Sequence, residues 1–185
     1  MTRAAIGIDP GKDGGIVALV LDDGGIRCVY QALTHRVAPN LEPSLCYRAV
    51  MDARNEVYGY VDEGIQYQIV GVLERVGAMP GQGLSSTFNF GHGRGVFRGV
   101  LAGHGWEVLE PVPSVWQRDV LANIPAPKLA PRAGKAERRA AVRARYLSRA
   151  SQVAGLDLIP AGCRVPQDGL GAACCLALFG LRSNS

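Results

Sequence analysis

Three acidic residues stand where predicted secondary-structure elements begin or end. Asp9 ends a short apolar run directly before a Pro-Gly turn, and Glu74 ends another such run before a loop rich in glycine and proline. Asp168 opens the apolar segment near the C-terminus. Parallel strands bring their carboxyl ends to one edge of a sheet, so we expect Asp9 and Glu74 to lie a few ångströms apart if their strands are neighbours.

Clustered carboxylates suit a particular chemistry. Because they repel one another, they favour divalent cations, and Mg²⁺ is a hard ion that carboxylates and phosphate oxygens hold. Two such ions about 4 Å apart activate a water and stabilise the leaving oxygen of a phosphoryl displacement. Each acid also has an ordinary explanation: Asp9 as a turn residue, Glu74 as a solvated strand end and Asp168 as a helix N-cap. Nothing local requires all three, so their combination predicts a metal site.

The elements that must position these acids form one α/β domain, residues 1–185, with a single mixed sheet. The predicted strands are 4–9, 16–21, 26–31, 67–73 and 106–109, and the predicted helices are 44–61, 85–103, 114–122, 135–149 and 168–181. Ser44 and Ser114 are predicted to cap the first and third of these helices. The stretch 34–43 is expected to be a polar connection.

The composition excludes several classes of protein. No apolar run approaches the roughly 18–20 residues of a membrane span, and the N-terminus lacks a signal-peptide pattern, which predicts a cytoplasmic protein with no membrane partner. The five cysteines show no zinc-ligand spacing and are expected to be reduced. The segment 91–95, G-H-G-R-G, follows no strand and lacks G-K-[ST], so we expect no nucleotide cofactor.

Four motifs carry a resemblance to a known family. They read I-G-I-D-P-G-K-D-G-G, V-L-E-R-V-G-A-M-P-G-Q-G, F-N-F-G-H-G-R-G-V-F-R-G-V-L and Q-D-G-L-G-A-A-C-C-L-A-L-F-G. With P-S-V-W-Q after the predicted fifth strand, they resemble RuvC-type Holliday junction resolvases, most closely the phage, bacterial and organellar branch. The resemblance implies an RNase H-like fold, with helices on both faces of a five-stranded sheet. It also implies a homodimer in a bacterial or phage-infected cell that uses Mg²⁺ or Mn²⁺ to place paired symmetric nicks in four-way DNA junctions.

The resemblance assigns roles to individual residues. Asp9, Glu74 and Asp168 match the first three metal ligands of the family, and Lys135 matches a basic residue that approaches the scissile phosphate. The family has a further acid one helical turn after the third ligand, where this chain has Ala172. Residues i and i+4 share a helix face, so an acid at 172 would point into the same site. Either three carboxylates suffice in this branch, or Ala172 abolishes cleavage and leaves DNA binding intact; we favour the second interpretation.

The helix predicted at 135–149 is strongly basic, in a chain of net charge +4. Its basic residues fall within roughly 160° of a helical wheel, and three alanines and Leu147 form the other side. This pattern predicts one packed face and one phosphate-binding face, with a solvated charged face as the alternative. The basic residues are Lys135, Arg138, Arg139, Arg143, Arg145 and Arg149.

Further residues are candidates for contact with DNA. Lys12 follows Asp9 in the turn, and Arg94 and Arg98 lie four residues apart on the predicted helix 85–103. Phe88 and Phe90 either stack on or wedge between bases, or pack in the core. Small residues along the same helix make it the candidate dimer seam.

Two other functions are open alternatives to junction resolution. One is an RNase H-like nuclease that acts on flaps, replication forks or RNA–DNA hybrids. The other is a protein that binds junctions without cleaving them, which the missing acid at 172 favours. Incubation with a synthetic four-way junction and Mg²⁺ or Mn²⁺ distinguishes symmetric nicks, asymmetric cuts and binding alone.

Overall fold

The computed structural model describes residues 2–11, 13–61, 68–75, 77 and 83–183. Within them, the strands are β1 (Arg3–Ile8), β2 (Gly15–Asp22), β3 (Gly25–Leu33), β4 (Gln68–Leu73) and β5 (Glu107–Leu109). The helices are α1 (Thr34–Val37), α2 (Pro43–Tyr60), α3 (Leu84–Gly103), α4 (Pro113–Val120), α5 (Lys135–Ala150) and α6 (Asp168–Ser183), with a 3₁₀ turn at Pro39–Leu41. Every predicted strand and helix is therefore present, with small differences in its boundaries.

The strands form one mixed sheet, as predicted, and the structure gives their order as β3-β2-β1-β4-β5. β1 pairs antiparallel with β2, its partner in a hairpin, and parallel with β4, which follows the α2 crossover. In the parallel pair, Ile8 lies opposite Leu73. The next residues, Asp9 and Glu74, therefore leave neighbouring strands side by side, where strands are about 4.8 Å apart.

Helices cover both faces of the sheet, as the resemblance implies. Ile6 and Ile8 of β1 belong to a core that α2 and α3 close. Ala5 points to the opposite face, into a second core that contains α6 and the fully buried Trp116 of α4. Because β1 is buried on both faces, its apolar run is continuous rather than alternating. None of the described helices is long and apolar enough to cross a bilayer.

Two glycines let α6 lie directly against β1 and the turn that follows it. A Cβ at Gly7 would stand 2.1 Å from the carbonyl oxygen of Ala173, and one at Gly169 would stand 2.3 Å from that of Asp13. Gly169 also forms an isolated parallel bridge with Gly14. Neither contact leaves room for a side chain, so these glycines hold the start of α6 at the end of β1.

Two predicted helix caps and one predicted loop are wrong. Glu42 caps α2 in place of Ser44, because its carboxylate accepts a hydrogen bond at 2.9 Å from the backbone of the first turn. α4 begins at Pro113 without a cap from Ser114. A proline at the first helical position needs no hydrogen-bond acceptor, so both helices begin one residue before the serine. The stretch 34–43 contains α1 and the 3₁₀ turn.

The predicted packing face of α5 is correct at Leu147, which contacts α6 at Gly171, and wrong for its three alanines. Its exposed residues include all three alanines of that face, Ala136, Ala140 and Ala144. The helix instead packs through its C-terminal half. Arg145 donates to the carbonyl oxygen of Leu121 at 2.7 Å, and Arg149 donates to that of Val120 at 2.8 Å. These two arginines bind carbonyl groups at the end of α4 and are not part of a free positive stripe.

Candidate active site

Asp9 and Glu74 stand immediately after β1 and β4. The backbone N–H of Asp9 donates to the carbonyl oxygen of Gly15 at 3.0 Å, and its Oδ1 accepts from the N–H of Gly11 at 3.1 Å. Glu74 Oε1 accepts from the indole Nε1–H of Trp116 at 3.0 Å. Each carboxylate is thus oriented by a neutral donor, and neither forms an ion pair with another described residue.

The surroundings of these two acids disfavour their charged forms. Burial raises the pKa of Glu74 to about 7, and the charge of Asp9 adds to the rise against the opposing indole hydrogen bond. Burial also raises the pKa of Asp9 despite the hydrogen bond from Gly11, and the charges of Asp13 and Asp168 raise it further. A carboxylate that raises the pKa of a second carboxylate lies close to it. Such acids are typical of functional sites.

Asp168, the third acid, is the first residue of α6. The close packing of Gly169 against the turn after β1 brings it near Asp9. Its Oδ2 accepts from Arg143 Nη1 at 3.0 Å, and both side chains are partly exposed. The N-cap explanation is not supported, because the first helical hydrogen bond runs from Gly171 to Gln167 and makes Gln167 the cap.

Asp9 and Asp168 line an open cleft of about 670 Å³, and Glu74 adjoins Asp9 without lining it. The lining residues are Asp9, Gly11, Asp13, Gly14, Leu41, Asn89, Phe90, Arg143, Tyr146, Asp168, Gly169 and Ala172. Sequence reasoning missed Asp13 and Tyr146. Asp13 is the second acid of the turn D-P-G-K-D-G-G, which was an available signal. The sequence held no comparable signal for Tyr146. Burial, and after it the charge of Glu74, raises the pKa of the Tyr146 hydroxyl.

The donor chemistry of the cluster fits a hard divalent cation, although the ligand set is incomplete. Asp9 and Glu74 offer carboxylate oxygens, the ligands that such an ion prefers. In the part of the chain that the structure describes, however, no three His, Cys, Asp or Glu side chains are grouped so that they could hold one ion. Asp168 is instead neutralised by Arg143. The geometry therefore supports Asp9 and Glu74 as a two-acid core for a cation, with Asp168 paired beside it.

Ala172 lines the cleft, whereas Gly171 faces α5. A Cβ at Gly171 would stand 3.2 Å from Leu147 Cδ2. A side chain at 171 would press against α5, so 172 is the position of the two from which a carboxylate could enter the cleft. The chain has a methyl group there, in the cleft that also contains the Arg143 guanidinium.

Two predicted DNA contacts on α3 already have a partner. Glu110, which follows β5, accepts hydrogen bonds from Arg94 and from Arg98, the latter at 2.6 Å. Burial is the largest influence on the pKa of Glu110 and raises it, but the two guanidinium groups together hold it below its usual value. Arg98 is 65% exposed and Arg94 29% exposed, so Arg98 retains more surface for a phosphate. Sequence reasoning missed Glu110.

The two phenylalanines of α3 that are candidates for DNA contact, Phe88 and Phe90, have different surroundings. Phe90 lines the cleft together with Asn89. Phe88 is 74% exposed and Leu84, one turn earlier, is 90% exposed. The alternative that Phe88 packs in the core is therefore wrong. Exposed aromatic side chains beside a cleft are compatible with stacking on bases.

The basic residues of α5 approach the cleft at one point. Arg143 lines the cleft, and Arg138 and Arg139 are exposed in the preceding turn. Lys135 is exposed at the start of the helix, about 12 Å along the axis from Arg143 at 1.5 Å per residue. Its assignment to the scissile phosphate stays a prediction. Lys12 lies outside the described residues.

The mixed five-stranded sheet with helices on both faces is the RNase H-like fold. Two solved structures of RuvC from Thermus thermophilus are similar to the chain. One has 17% sequence identity and a TM-score of 0.58, and the match covers 98% of this chain and 96% of that one. The other is RuvC in complex with a Holliday junction substrate, with 14% identity and a TM-score of 0.53, covering 96% of this chain and 91% of that one.

Comparisons of the sequence find no match. No family model matches the chain, and no curated protein matches it. At 14% and 17% identity, the structural similarity establishes the fold. The predicted fold and the resemblance to RuvC are thereby confirmed.

Proposed function

We propose that this protein is a metal-dependent endodeoxyribonuclease that binds four-way DNA junctions as a homodimer and places paired nicks in them. The observation that carries the proposal is the pair Asp9 and Glu74, side by side at neighbouring strand ends, with raised pKa values and no ion pair to another described residue. The similar RuvC structure with a Holliday junction substrate supports the choice of DNA.

Asp9 and Glu74 are the residues proposed to hold Mg²⁺ or Mn²⁺, with Asp168 next to them. A bound cation supplies Lewis-acid activation of a water and stabilisation of the leaving oxygen. The chain itself orients the acids: Gly11 holds one oxygen of Asp9, and Trp116 holds one oxygen of Glu74. Arg143, which is paired with Asp168, places a guanidinium group in the cleft where a phosphate is proposed to lie.

The exposed half of α5 supplies further contacts to the phosphate backbone. Lys135, Arg138 and Arg139 lie on the part of the helix whose alanines are also exposed, so it protrudes from the body of the protein. Such contacts position a duplex without reading its sequence. The Glu137 carboxylate accepts a hydrogen bond from the backbone N–H of Gly134 at 2.7 Å. The acid in this half of the helix is therefore bound to the backbone at the start of α5.

The proposed dimer interface is the exposed side of α3. Four glycines recur at every fourth residue, and a Cβ at each of them would meet no atom within 4 Å. They are Gly91, Gly95, Gly99 and Gly103. A flat glycine surface lets a second helix approach closely, and a two-fold pair of clefts matches the near two-fold symmetry of a four-way junction.

The test is a synthetic four-way junction with each strand labelled in turn, incubated with Mg²⁺, Mn²⁺ or EDTA and analysed on a denaturing gel. The proposal expects paired nicks at symmetric positions with either cation and none with EDTA. Cuts confined to flaps, forks or RNA–DNA hybrids would replace it with a different nuclease activity. A linear duplex of the same sequence is the control.

A second candidate function is junction binding without cleavage. It is favoured by the methyl group at Ala172 and by the ion pair that engages Asp168. Ala172→Asp restores an acid in the cleft, and Ala172→Asn is the matched uncharged control. If the alanine at 172 is what prevents cleavage, the Asp variant gains nicking activity and the Asn variant does not. Equal nicking rates for all three proteins contradict a role for residue 172.

A further inference from the structure

Tyr146 lines the acidic cleft and has no role in the proposed function. It lies on α5 three residues after Arg143, so the two side chains share one face of the helix. Both line the cleft in which a phosphate is proposed to lie. Arg143 is a charged donor that is paired with Asp168, whereas Tyr146 offers an uncharged hydroxyl. The helix α5 therefore presents two different hydrogen-bond donors to the same cleft.

The ring of Tyr146 is held in place by α4. Its centroid lies 5.1 Å from that of Trp116, and the two rings are tilted by 44°. Trp116 is fully buried and donates to Glu74, so the tyrosine packs against the residue that orients one of the two acids. Because a tyrosine side chain turns about two χ angles alone, this packing limits the positions that its hydroxyl can take.

The oxygen of the Tyr146 hydroxyl is already bound within the fold. Gln117, the residue after Trp116, donates from Nε2 to Tyr146 Oη at 2.6 Å. A tyrosine hydroxyl both accepts and donates hydrogen bonds. Since the amide of Gln117 occupies a lone pair, the proton of the hydroxyl has to point elsewhere, and no described residue accepts it. That proton is available to a ligand in the cleft.

The two acids lie close to this hydroxyl. Burial is the largest cause that raises the pKa of Tyr146, and the charges of Glu74 and Asp9 raise it further. An uncharged donor has an advantage beside two carboxylates. A lysine or arginine at this position would form ion pairs with the acids and compete with a cation for them, whereas a hydroxyl can bind an anionic phosphate oxygen and leave the acids to the cation.

We propose that the Tyr146 hydroxyl donates a hydrogen bond to a non-bridging oxygen of the DNA phosphate that occupies the acidic cleft, beside Arg143. The inference rests on the proposed function and extends it, because it names a further residue that binds the substrate at the two acids. Hydrogen bonds to a charged oxygen are among the strong ones. In this arrangement Gln117 and Trp116 fix the donor, and the donor fixes the phosphate.

Two protein variants separate a contact with DNA from a structural role. Tyr146→Phe removes the hydroxyl and keeps the ring that packs on Trp116. Gln117→Met removes the amide and keeps the hydroxyl, in an unbranched side chain of similar length. Both variants lose the same internal hydrogen bond, so a hydroxyl with a structural role alone gives them equal effects. Urea unfolding should show similar stabilities for the two variants, for the same reason.

The measurement is binding to a four-way junction by fluorescence anisotropy in EDTA, so that no strand is cut. An intact junction is compared with junctions that carry a methylphosphonate, which lacks one charged oxygen, at each linkage around the exchange point in turn. Tyr146→Phe should weaken binding to the intact junction by about 10- to 100-fold, the range for one hydrogen bond to a charged group. Gln117→Met should weaken it by no more than a few-fold, because its hydroxyl remains.

The methylphosphonate series identifies the phosphate. At one linkage, the substitution should weaken binding of wild type and Gln117→Met by more than it weakens binding of Tyr146→Phe, because the variant has already lost that contact. Equal effects of the two protein variants, or additive effects at every linkage, overturn this inference alone when tight junction binding is retained. Failure of the wild-type protein to prefer the junction over linear duplex overturns the proposed function and the inference together.

Discussion

Two acids of the same type follow neighbouring parallel strands, and their surroundings are opposite. Glu74 follows β4, where burial and the charge of Asp9 raise its pKa to about 7. Glu110 follows β5, where Arg94 and Arg98 hold its pKa below the usual value although burial raises it. The charge of Glu110 is balanced within the chain, whereas the partner of Glu74 among the described residues is an uncharged indole N–H.

The comparison shows how a functional acid differs from a structural one. Position at a strand end is common to both and does not distinguish them. Glu110 stabilises the fold by joining the end of β5 to α3, as its two ion pairs show. The charged form of Glu74 is disfavoured by burial and by Asp9, which costs stability in the metal-free protein and is maintained where a cation or substrate balances the charge.

The largest expected effect is a difference in nicking rate between variants of Glu74 and Glu110. Glu74→Gln should lower the rate of junction nicking by about 100- to 1,000-fold, the range seen when one electrostatic group is removed from a reaction site. Glu110→Gln should change it by no more than a few-fold, because its contacts lie within the fold. Single-turnover gel assays measure both nicking rates, with the protein in excess of the junction and above the dissociation constant of the complex. Equal losses would remove the distinction drawn here.

The second prediction concerns stability at alkaline pH in EDTA. Glu74 has a raised pKa, so the stability it contributes is present below its unfolded value near 4.5 and is lost as pH rises through about 7. Glu74→Gln remains neutral and keeps an oxygen for the indole. It should therefore be more stable than wild type by about 1–3 kcal/mol at pH 8, and the difference should vanish near pH 4. Urea unfolding at the two pH values measures it.

Glu110→Gln should change the free energy of unfolding in the opposite direction. Because the pKa of Glu110 is lowered, its stabilisation is present above the unfolded value and is lost as pH falls through the folded value. The variant leaves the partly buried Arg94 without its charged partner. We expect it to be less stable than wild type by about 1–2 kcal/mol at pH 7, discounted for partial exposure, and by less near pH 3. A stabilised Glu110→Gln protein would contradict the pairing.

The smallest expected effect tests whether the exposed half of α5 contacts phosphates. Arg138→Ala and Arg139→Ala should each weaken junction binding by a few-fold, and each should reduce the slope of log affinity against log salt by about 1. The matched control is Arg98→Ala on α3, whose guanidinium is shared with Glu110. Its salt slope should change less. Salt titrations from about 50 to 200 mM give the slopes.

Local pattern was sufficient for the main elements and for two of the acids. The apolar runs that end at Asp9 and Glu74 predicted two buried strands whose carboxyl ends lie at one edge of the sheet, because side-chain burial on both faces is visible in sequence. A serine near a helix start was a poorer guide to the capping residue. Pro43 and Pro113 begin the two helices, and the local sequence does not show whether the proline or the serine sets the first helical position.

The sequence by itself determined the strands, the helices and the position of the acids along them, because these depend on periodicity and turn chemistry within short segments. Tertiary structure alone decided which charges meet. Arg143 reaches Asp168, Arg94 reaches Glu110, and Arg145 binds a carbonyl group at the end of α4, although all three arginines look alike in sequence. The physical reason is that long side chains select partners by the packing of remote helices, which no local pattern encodes.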